Sequence, residues 1–336
     1  MLEKLDCKVT IACDGARLSL LRREFPHLEY LLLPGYNITY SNNKRLLSLK
    51  ILLQSPKILQ KIKNEKQWLE RILKEKQIDA VISDNRYGLF SEKVPCVFIT
   101  HQLQIQAPFG WLQQLLQKIN YRYINRFTEC WVPDFEGNQN IAGILSHPQK
   151  MPSVPVKYLG LLSRLEQFND RSKRNNWLIL LSGPEPQRTI LEKKIYKLLP
   201  FIPGKILFAK GKPGNTKKEQ TVENCTIVNH LAGDEMQKAF EESEFIISRS
   251  GYTTVMELLS MQKKALIIPT PGQTEQEYLA RHLMQQRWCY TCNQEDDLEE
   301  HIKKATAFNY KLPTLAPHKL EQVIKSFIEK NLSGKG

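Results

Sequence analysis

No run of apolar residues in this chain approaches the roughly 20 that a bilayer-spanning helix needs. The opening residues place Glu3, Lys4, Asp6 and Lys8 around short apolar patches, which is not the pattern of a secretory leader. Paired cysteines are also lacking. Seven thiols stand dispersed at 7, 13, 96, 130, 225, 289 and 292, an odd set that predicts reduced thiols and a cytoplasmic setting. Only Cys289 and Cys292 share a metal-like spacing. No second pair stands at zinc spacing, and Trp288 and Tyr290 around them read as strand, so a structural role is expected, with no metal and no cofactor. Acidic residues run short: 35 Asp and Glu face 48 Lys and Arg, a net charge of +13. Such an excess suits nucleic acid, anionic lipid or a phosphorylated ligand. Zinc-finger spacing, ribonucleoprotein aromatics and an arginine-rich arm are all missing, and the lysines are spread, so no nucleic-acid partner is expected.

What is present suits two domains of ordinary size, in 336 residues of which 41% are hydrophobic. Apolar strands alternate with helical stretches throughout, which predicts an α/β chain with doubly wound parallel sheets. In the first half, Lys8–Ala12, Tyr30–Leu33, Ala80–Ser83, Cys96–Ile99 and Cys130–Val132 read as strands. Leu46–Lys76 reads as a long helix with a possible interruption at Pro56, and Trp111–Phe127 as another. A segment punctuated by Pro148, Pro152, Pro155 and Gly160 marks the linker. The expected domains are 1–158 and 159–336. The second opens with Trp177–Leu181 and closes with an amphipathic helix over Lys319–Lys330. Gly211–Gln220 reads as a basic loop.

The stretch from Ile246 to Ala280 carries the chemistry. A strand runs into Ser248-Arg249-Ser250-Gly251, then a helix from Thr253, a second strand, and Pro269-Thr270-Pro271-Gly272 before another helix. Both turns lie at carboxyl ends of strands, where parallel sheets bind ligands. Ser250, Gly251, Thr253 and Thr254 lead into a helix whose free N–H groups and dipole attract anions, and Gly251 permits close approach. Glu257 shares the helical face of Thr253 and Thr254. A carboxylate there is unsuited to phosphate and suited to two neighbouring hydroxyls, as on a ribose. Gln273, Thr274, Glu275 and Gln276 suit sugar hydroxyls.

Those residues in that order resemble the donor half of family 28 glycosyltransferases, the group of the peptidoglycan lipid-intermediate N-acetylglucosaminyltransferase. The resemblance implies a GT-B fold: two Rossmann-like domains and a nucleotide-diphosphate sugar donor, of the UDP type. By the same resemblance Glu257 binds the ribose, the helix after Ser250-Gly251 cradles the diphosphate, and Gln276 contacts the sugar. Gly183 matches a glycine-rich phosphate loop, although Pro184 and Pro186 depart from the family pattern. His230 and Leu231 match a base-contacting segment. Arg249 adds a cation or forms a structural pair. The family's opening Gly-x-Gly-His loop has no counterpart, so the first βα unit of the N-terminal domain is expected to be missing.

Acid–base candidates are therefore few. His101 follows a strand, and imidazole suits proton transfer near neutral pH. Asp84 is a second candidate, with Arg86 as a cation for an acceptor phosphate. Asp134 and Glu136 are weaker, and Asp14 and Gly15 read as structural. The implied reaction is metal-independent transfer of a hexose or hexosamine to a hydroxyl, on a lipid-linked acceptor or another. Rival readings are an inactive nucleotide-sugar-binding protein and a nucleotide-sugar epimerase. Basic-apolar segments at Lys44–Leu53, Lys57–Lys63 and Trp111–Tyr123 suit either a core-facing helix or an anionic membrane surface, which would make the protein peripheral.

Overall fold

The computed structural model describes residues 1–33, 44–107, 109–165, 176–212, 220–231 and 233–332. The side chains of 44–53 and the loop 213–219, both named above, lie outside the described residues. The described chain groups into two compact units, one from 1–33, 45–162 and 316–332, the other within 163–315.

In the first unit, β1 (Thr10–Cys13), α1 (Gly15–Glu24) and β2 (Glu29–Leu32) form a βαβ step with the strands parallel. Helix α2 (Lys44–Glu75) contains Pro56 without ending there. The next strands are β3 (Val81–Asp84), β4 (Cys96–Ile99), β5 (Glu129–Val132) and β6 (Val156–Tyr158), with α3 (Gly110–Ile124) between β4 and β5. They pair in chain order as a parallel four-stranded sheet. Alternation along the strands sends neighbours to opposite faces. Phe98 and Cys130 join Ile124 and Phe127 on one side, while Val97 and Trp131 join Leu159 on the other. Strands β1 and β3 belong to separate sheets, yet Ala12 and Val81 pack against one cluster of Leu33, Leu69 and Leu89.

The second unit runs β7 (Asn176–Leu180), α4 (Gln187–Leu198), β8 (Lys205–Ala209), β9 (Gln220–Val222), β10 (Cys225–Val228), α5 (Asp234–Glu242), β11 (Phe245–Ser248), α6 (Tyr252–Ser260), β12 (Lys264–Ile267), α7 (Thr274–Gln285), β13 (Tyr290–Thr291) and α8 (Leu298–Ala307). The strand order is β13-β12-β11-β7-β8-β10-β9. All pairs are parallel except β9, a hairpin partner of β10 that has no counterpart in the sequence reading. Its three residues, Gln-Thr-Val, are all exposed, so neither length nor burial pattern marks them as strand. Cys289 and Cys292 are buried beside β13, and burial pushes both thiols up to about 12. Helix α9 (Leu320–Asn331) lies in the first unit, where Ile324 and Phe327 pack with Val97, Trp131 and Leu159.

Candidate functional site

Strand order dictates where the second unit can bind a ligand. From β7 the chain winds outward through β8 and β10, then returns to the other side through β11 and β12. The order reverses between β7 and β11, and in sheets of this kind the loops leaving two such strands part to leave a crevice. Three helices begin at the carboxyl ends of the adjacent strands β7, β11 and β12: α4, α6 and α7. None is capped by the side chain of its own N-cap residue, although Glu185 Oε2 accepts from the Thr189 N–H in the first turn of α4. The first turn of a helix lies at its positive end.

The tip of α6 is open at its N-cap. Gly251 is its N-cap, in extended backbone at φ −69° and ψ 138°. A Cβ there would meet no protein atom within 4 Å. The glycine is thus not required by packing or by backbone conformation, and the space before the tip is free. Thr253 is exposed and Thr254 half-buried beside it. The preceding residues brace the loop. Ser250 is buried, and its hydroxyl donates to the Gln276 carbonyl at 3.0 Å. Arg249 is 1% exposed and donates to the carbonyls of Ile268, Pro269 and Gln187 at 3.3, 3.1 and 2.9 Å, and to Gln294 Oε1. Burial lowers its guanidinium pKa to about 10, with Glu295 opposing. Arg249 thereby ties the loop after β12 to the start of α4.

The third loop is organised by Gln276, whose Oε1 accepts from the Thr270 N–H at 2.9 Å. Glu277 Oε1 accepts from the Gly272 N–H at 3.0 Å. Gln273, Glu275 and Gln276 are half-buried at the head of α7. Thr270 is buried with no hydrogen-bond partner for its hydroxyl, 3.4 Å from where a Cβ on Gly183 would sit. Gly183 itself has φ +100°, a conformation that only glycine adopts freely. Glu257, one turn into α6, is 6% exposed and ion-paired through Oε1 to Arg164 Nε at 3.2 Å. Burial pushes its carboxyl above the ordinary carboxylate range, and Arg164 pulls it partly back.

The fold thus gathers Gly183, Arg249, Ser250, Gly251, Thr253, Thr254, Glu257, Gln273, Glu275 and Gln276 around three adjacent strand ends. His230 and Leu231 follow β10, which β7 and β8 separate from β11. Leu231 is buried and His230 half-buried. Arg164, Thr270 and Gln294 were not anticipated. Arg164 meets Glu257 across 93 positions, and no local spacing signals such a pair.

In the first unit, Asp84 ends β3 and His101 follows β4, so both lie at carboxyl ends of neighbouring strands. Asp84 is exposed and His101 half-buried. Arg86 is engaged by the buried Glu65, Nε to Oε1 at 2.6 Å, and Glu65 Oε2 also accepts from the Gly88 N–H at 3.2 Å. That carboxylate fixes the turn after β3. Asp134 accepts from the N–H groups of Phe135, Ile141 and Ala142 and from the Ser146 hydroxyl, so it organises the loop after β5.

Residues 189–330 match the model of the glycosyltransferase family 28 C-terminal domain. Over 174 residues the chain is 25% identical to the UDP-N-acetylglucosamine--N-acetylmuramyl-(pentapeptide) pyrophosphoryl-undecaprenol N-acetylglucosamine transferase of Sulfurihydrogenibium sp. (strain YO3AOP1). That match takes in 51% of this chain and 49% of the relative, so it spans about half the length of that protein. Among solved structures, MurG of Acinetobacter baumannii superposes with a TM-score of 0.54 at 15% identity, over 98% of this chain and 93% of that one. The glycosyltransferase SnogD from Streptomyces nogalater gives 0.55 at 13% identity, over 97% and 93%. A Streptomyces sp. SF2575 glycosyltransferase, SsfS6, complexed with thymidine diphosphate, gives 0.55 at 11% identity, over 91% and 83%.

Proposed function

We propose that this chain, a family 28-like glycosyltransferase of GT-B fold, moves a hexose or hexosamine from a UDP-type nucleotide sugar to a hydroxyl acceptor. One observation carries the reading: an uncapped helix tip with free space before it at the switch point, and a buried carboxylate one turn further along. The second unit takes the donor. The first-turn N–H groups of α6 receive the diphosphate, Glu257 receives the ribose hydroxyls, and the Gln273–Gln276 segment receives the sugar. His230 and Leu231 offer the loop after β10 to the base. Arg249 and Ser250 hold the loops in register.

In the reaction the acceptor oxygen bonds to the anomeric carbon while the bond from that carbon to the diphosphate oxygen breaks. Charge grows on the leaving diphosphate, and the fixed dipoles at the α6 tip stabilise it without a metal ion. The acceptor's proton passes to a base of the first unit, His101 or Asp84. A lipid-linked acceptor fits the relative whose name specifies an undecaprenol-linked one. The test is calorimetric titration with UDP and a panel of nucleotide sugars, using wild type and Glu257→Gln. Binding by wild type that falls at least tenfold in the variant is expected, and equal affinity for both would overturn the assignment. Hydrolysis or transfer that survives chelation supports metal independence. Interconversion of free nucleotide sugars without acceptor would point to an epimerase, and donor binding without turnover to a binding protein.

A further inference from the structure

One side chain at the carboxyl end of the second unit's sheet sits on a clamped backbone and has no partner of its own. Thr270 follows β12 and is 2% exposed. Its N–H donates to Gln276 Oε1 at 2.9 Å, and its carbonyl accepts from the Gln273 N–H at 3.1 Å. The two carbonyls before it, of Ile268 and Pro269, accept from Arg249 Nη1 at 3.3 and 3.1 Å. Thr270 is thus held from both sides. Its hydroxyl alone meets no hydrogen-bond partner among the described residues. A buried hydroxyl in that state costs stability, and folded chains keep few of them. The fold gains nothing from this one, which points to a ligand.

The way to this hydroxyl passes Gly183, after β7. A Cβ on Gly183 would stand 3.4 Å from Thr270 Oγ1 and within 4 Å of no other described atom outside the glycine and its chain neighbours. The space beside Gly183 therefore opens on to the hydroxyl, and a small shift of that loop admits an acceptor atom. The surroundings favour an anionic one. Gln276 holds the Thr270 N–H on its side-chain oxygen and the Ser250 hydroxyl on its carbonyl, so Thr270 is tied to the residue that precedes the α6 N-cap. The positive end of α6 is thereby brought alongside. Arg249 adds a buried guanidinium whose hydrogen bonds all go to carbonyl and amide oxygens, which leave its charge in place. The α4 tip differs, because the Glu185 carboxylate already accepts from its Thr189 N–H at 3.2 Å.

We propose that the Thr270 hydroxyl donates to a non-bridging oxygen of the donor's second phosphate, the one that carries the sugar. The inference rests on the donor site proposed above. In that site the base lies by β10 and the sugar by the head of α7, so the phosphate on the β12 side of the α6 tip is the sugar-bearing one. A hydroxyl bonded to an ionised oxygen makes a stronger hydrogen bond than one bonded to a neutral group. Aimed from a clamped backbone, it selects by position rather than by charge, and it distinguishes a diphosphate from a monophosphate. A site built to hydrogen-bond one group discriminates against ligands that lack it.

The experiment is calorimetric titration of the full chain with UDP and with UMP, using wild type, Thr270→Val and Thr270→Ser, with melting curves of each protein alone. Wild type should bind UDP more tightly than UMP. Thr270→Val should bind UDP at least about fivefold more weakly than wild type and UMP within about twofold of it. Thr270→Ser keeps the hydroxyl and should bind UDP within about twofold of wild type. Without nucleotide, Thr270→Val should melt no lower than wild type, because a methyl group of similar size replaces a polar atom that had no partner. A hydroxyl with a purely structural role gives the reverse, a lower melting temperature and an unchanged ratio of UDP to UMP affinity, and that pattern overturns the proposal. If the valine variant does not fold, Thr270→Ala, which also lacks the hydroxyl, carries the titrations. Equal UDP affinity in wild type and the folded variant overturns this inference and leaves the donor site standing. Equal losses for UDP and UMP also overturn it, since the contact would then lie on the first phosphate or the nucleoside. Wild type that binds neither nucleotide overturns the donor site itself, and this contact with it.

Discussion

Glu257 shows how far one residue's chemistry depends on what encloses it. On the sequence it is an acid four residues after Thr253. In the fold it is 6% exposed, opposed by burial and supported by Arg164. Its raised folded pKa sets two pH dependences. As pH rises from the ordinary carboxylate value through the raised one, the folded chain must release a proton it holds more tightly than the unfolded chain does, and stability falls. On the proposed reading Glu257 meets the ribose in its ionised form, so nucleoside diphosphate affinity should drop as the solution is acidified through the same window. Titrations of wild type at successive pH values should show that extra slope, and Glu257→Gln should lack it, leaving only the titration of the phosphates. At neutral pH the variant should lose about 2 kcal/mol of nucleotide binding, the scale of a hydrogen bond to a charged group. Arg249 sets the opposite expectation. Its donors go to buried protein acceptors, so Arg249→Met should destabilise the fold by about 3 kcal/mol or more through orphaned carbonyls, read as a lower denaturant midpoint.

At the scale of elements, two glycines behave differently for reasons that their neighbours alone decide. Gly251 has ordinary backbone angles and empty space before it. Gly251→Ala should therefore leave stability within about 0.5 kcal/mol while weakening diphosphate binding, which thermal melting and calorimetry will separate. Gly88 sits under α2, and a Cβ there would fall 2.4 Å from the Ile62 carbonyl oxygen and 2.5 Å from the Glu65 Cβ. Gly88→Ala should cost about 2 kcal/mol, visible as a fall in melting temperature. The polar turn into α6 was legible because its residue types, Ser, Gly and Thr, are those a helix start and an anion both require. The contact of α2 with the turn after β3 was not, because Glu65 and Gly88 stand 23 positions apart and no local spacing signals the pair.

For the whole molecule, the parallel α/β plan was visible in the alternation of apolar strands and helices, and the GT-B fold bears it out. The amphipathic last helix was visible too, and its contacts lie in the first unit. Its Phe327 ring meets Trp131 edge-on with centroids 5.5 Å apart. Phe327→Ala should cost the first unit about 3 kcal/mol, seen as earlier unfolding by amide exchange across β4 and β5 than across β7 and β11. Less of the first unit was readable. Its strands fall into a pair and a four-stranded sheet, with Ala12 and Val81 meeting one cluster beneath α2.

Short-range pattern determined most of the strands and helices, and that a polar turn of Ser and Gly leads into α6, because hydrophobic period and turn chemistry act within a few residues. Tertiary structure alone decided that Arg164 reaches Glu257, that Arg249 braces rather than merely precedes the α6 tip, that Glu65 claims Arg86, and that Trp111 of α3 is left exposed. Each of those is a contact or an exposure set by how distant elements pack, and residue order along the chain does not encode that distance locally.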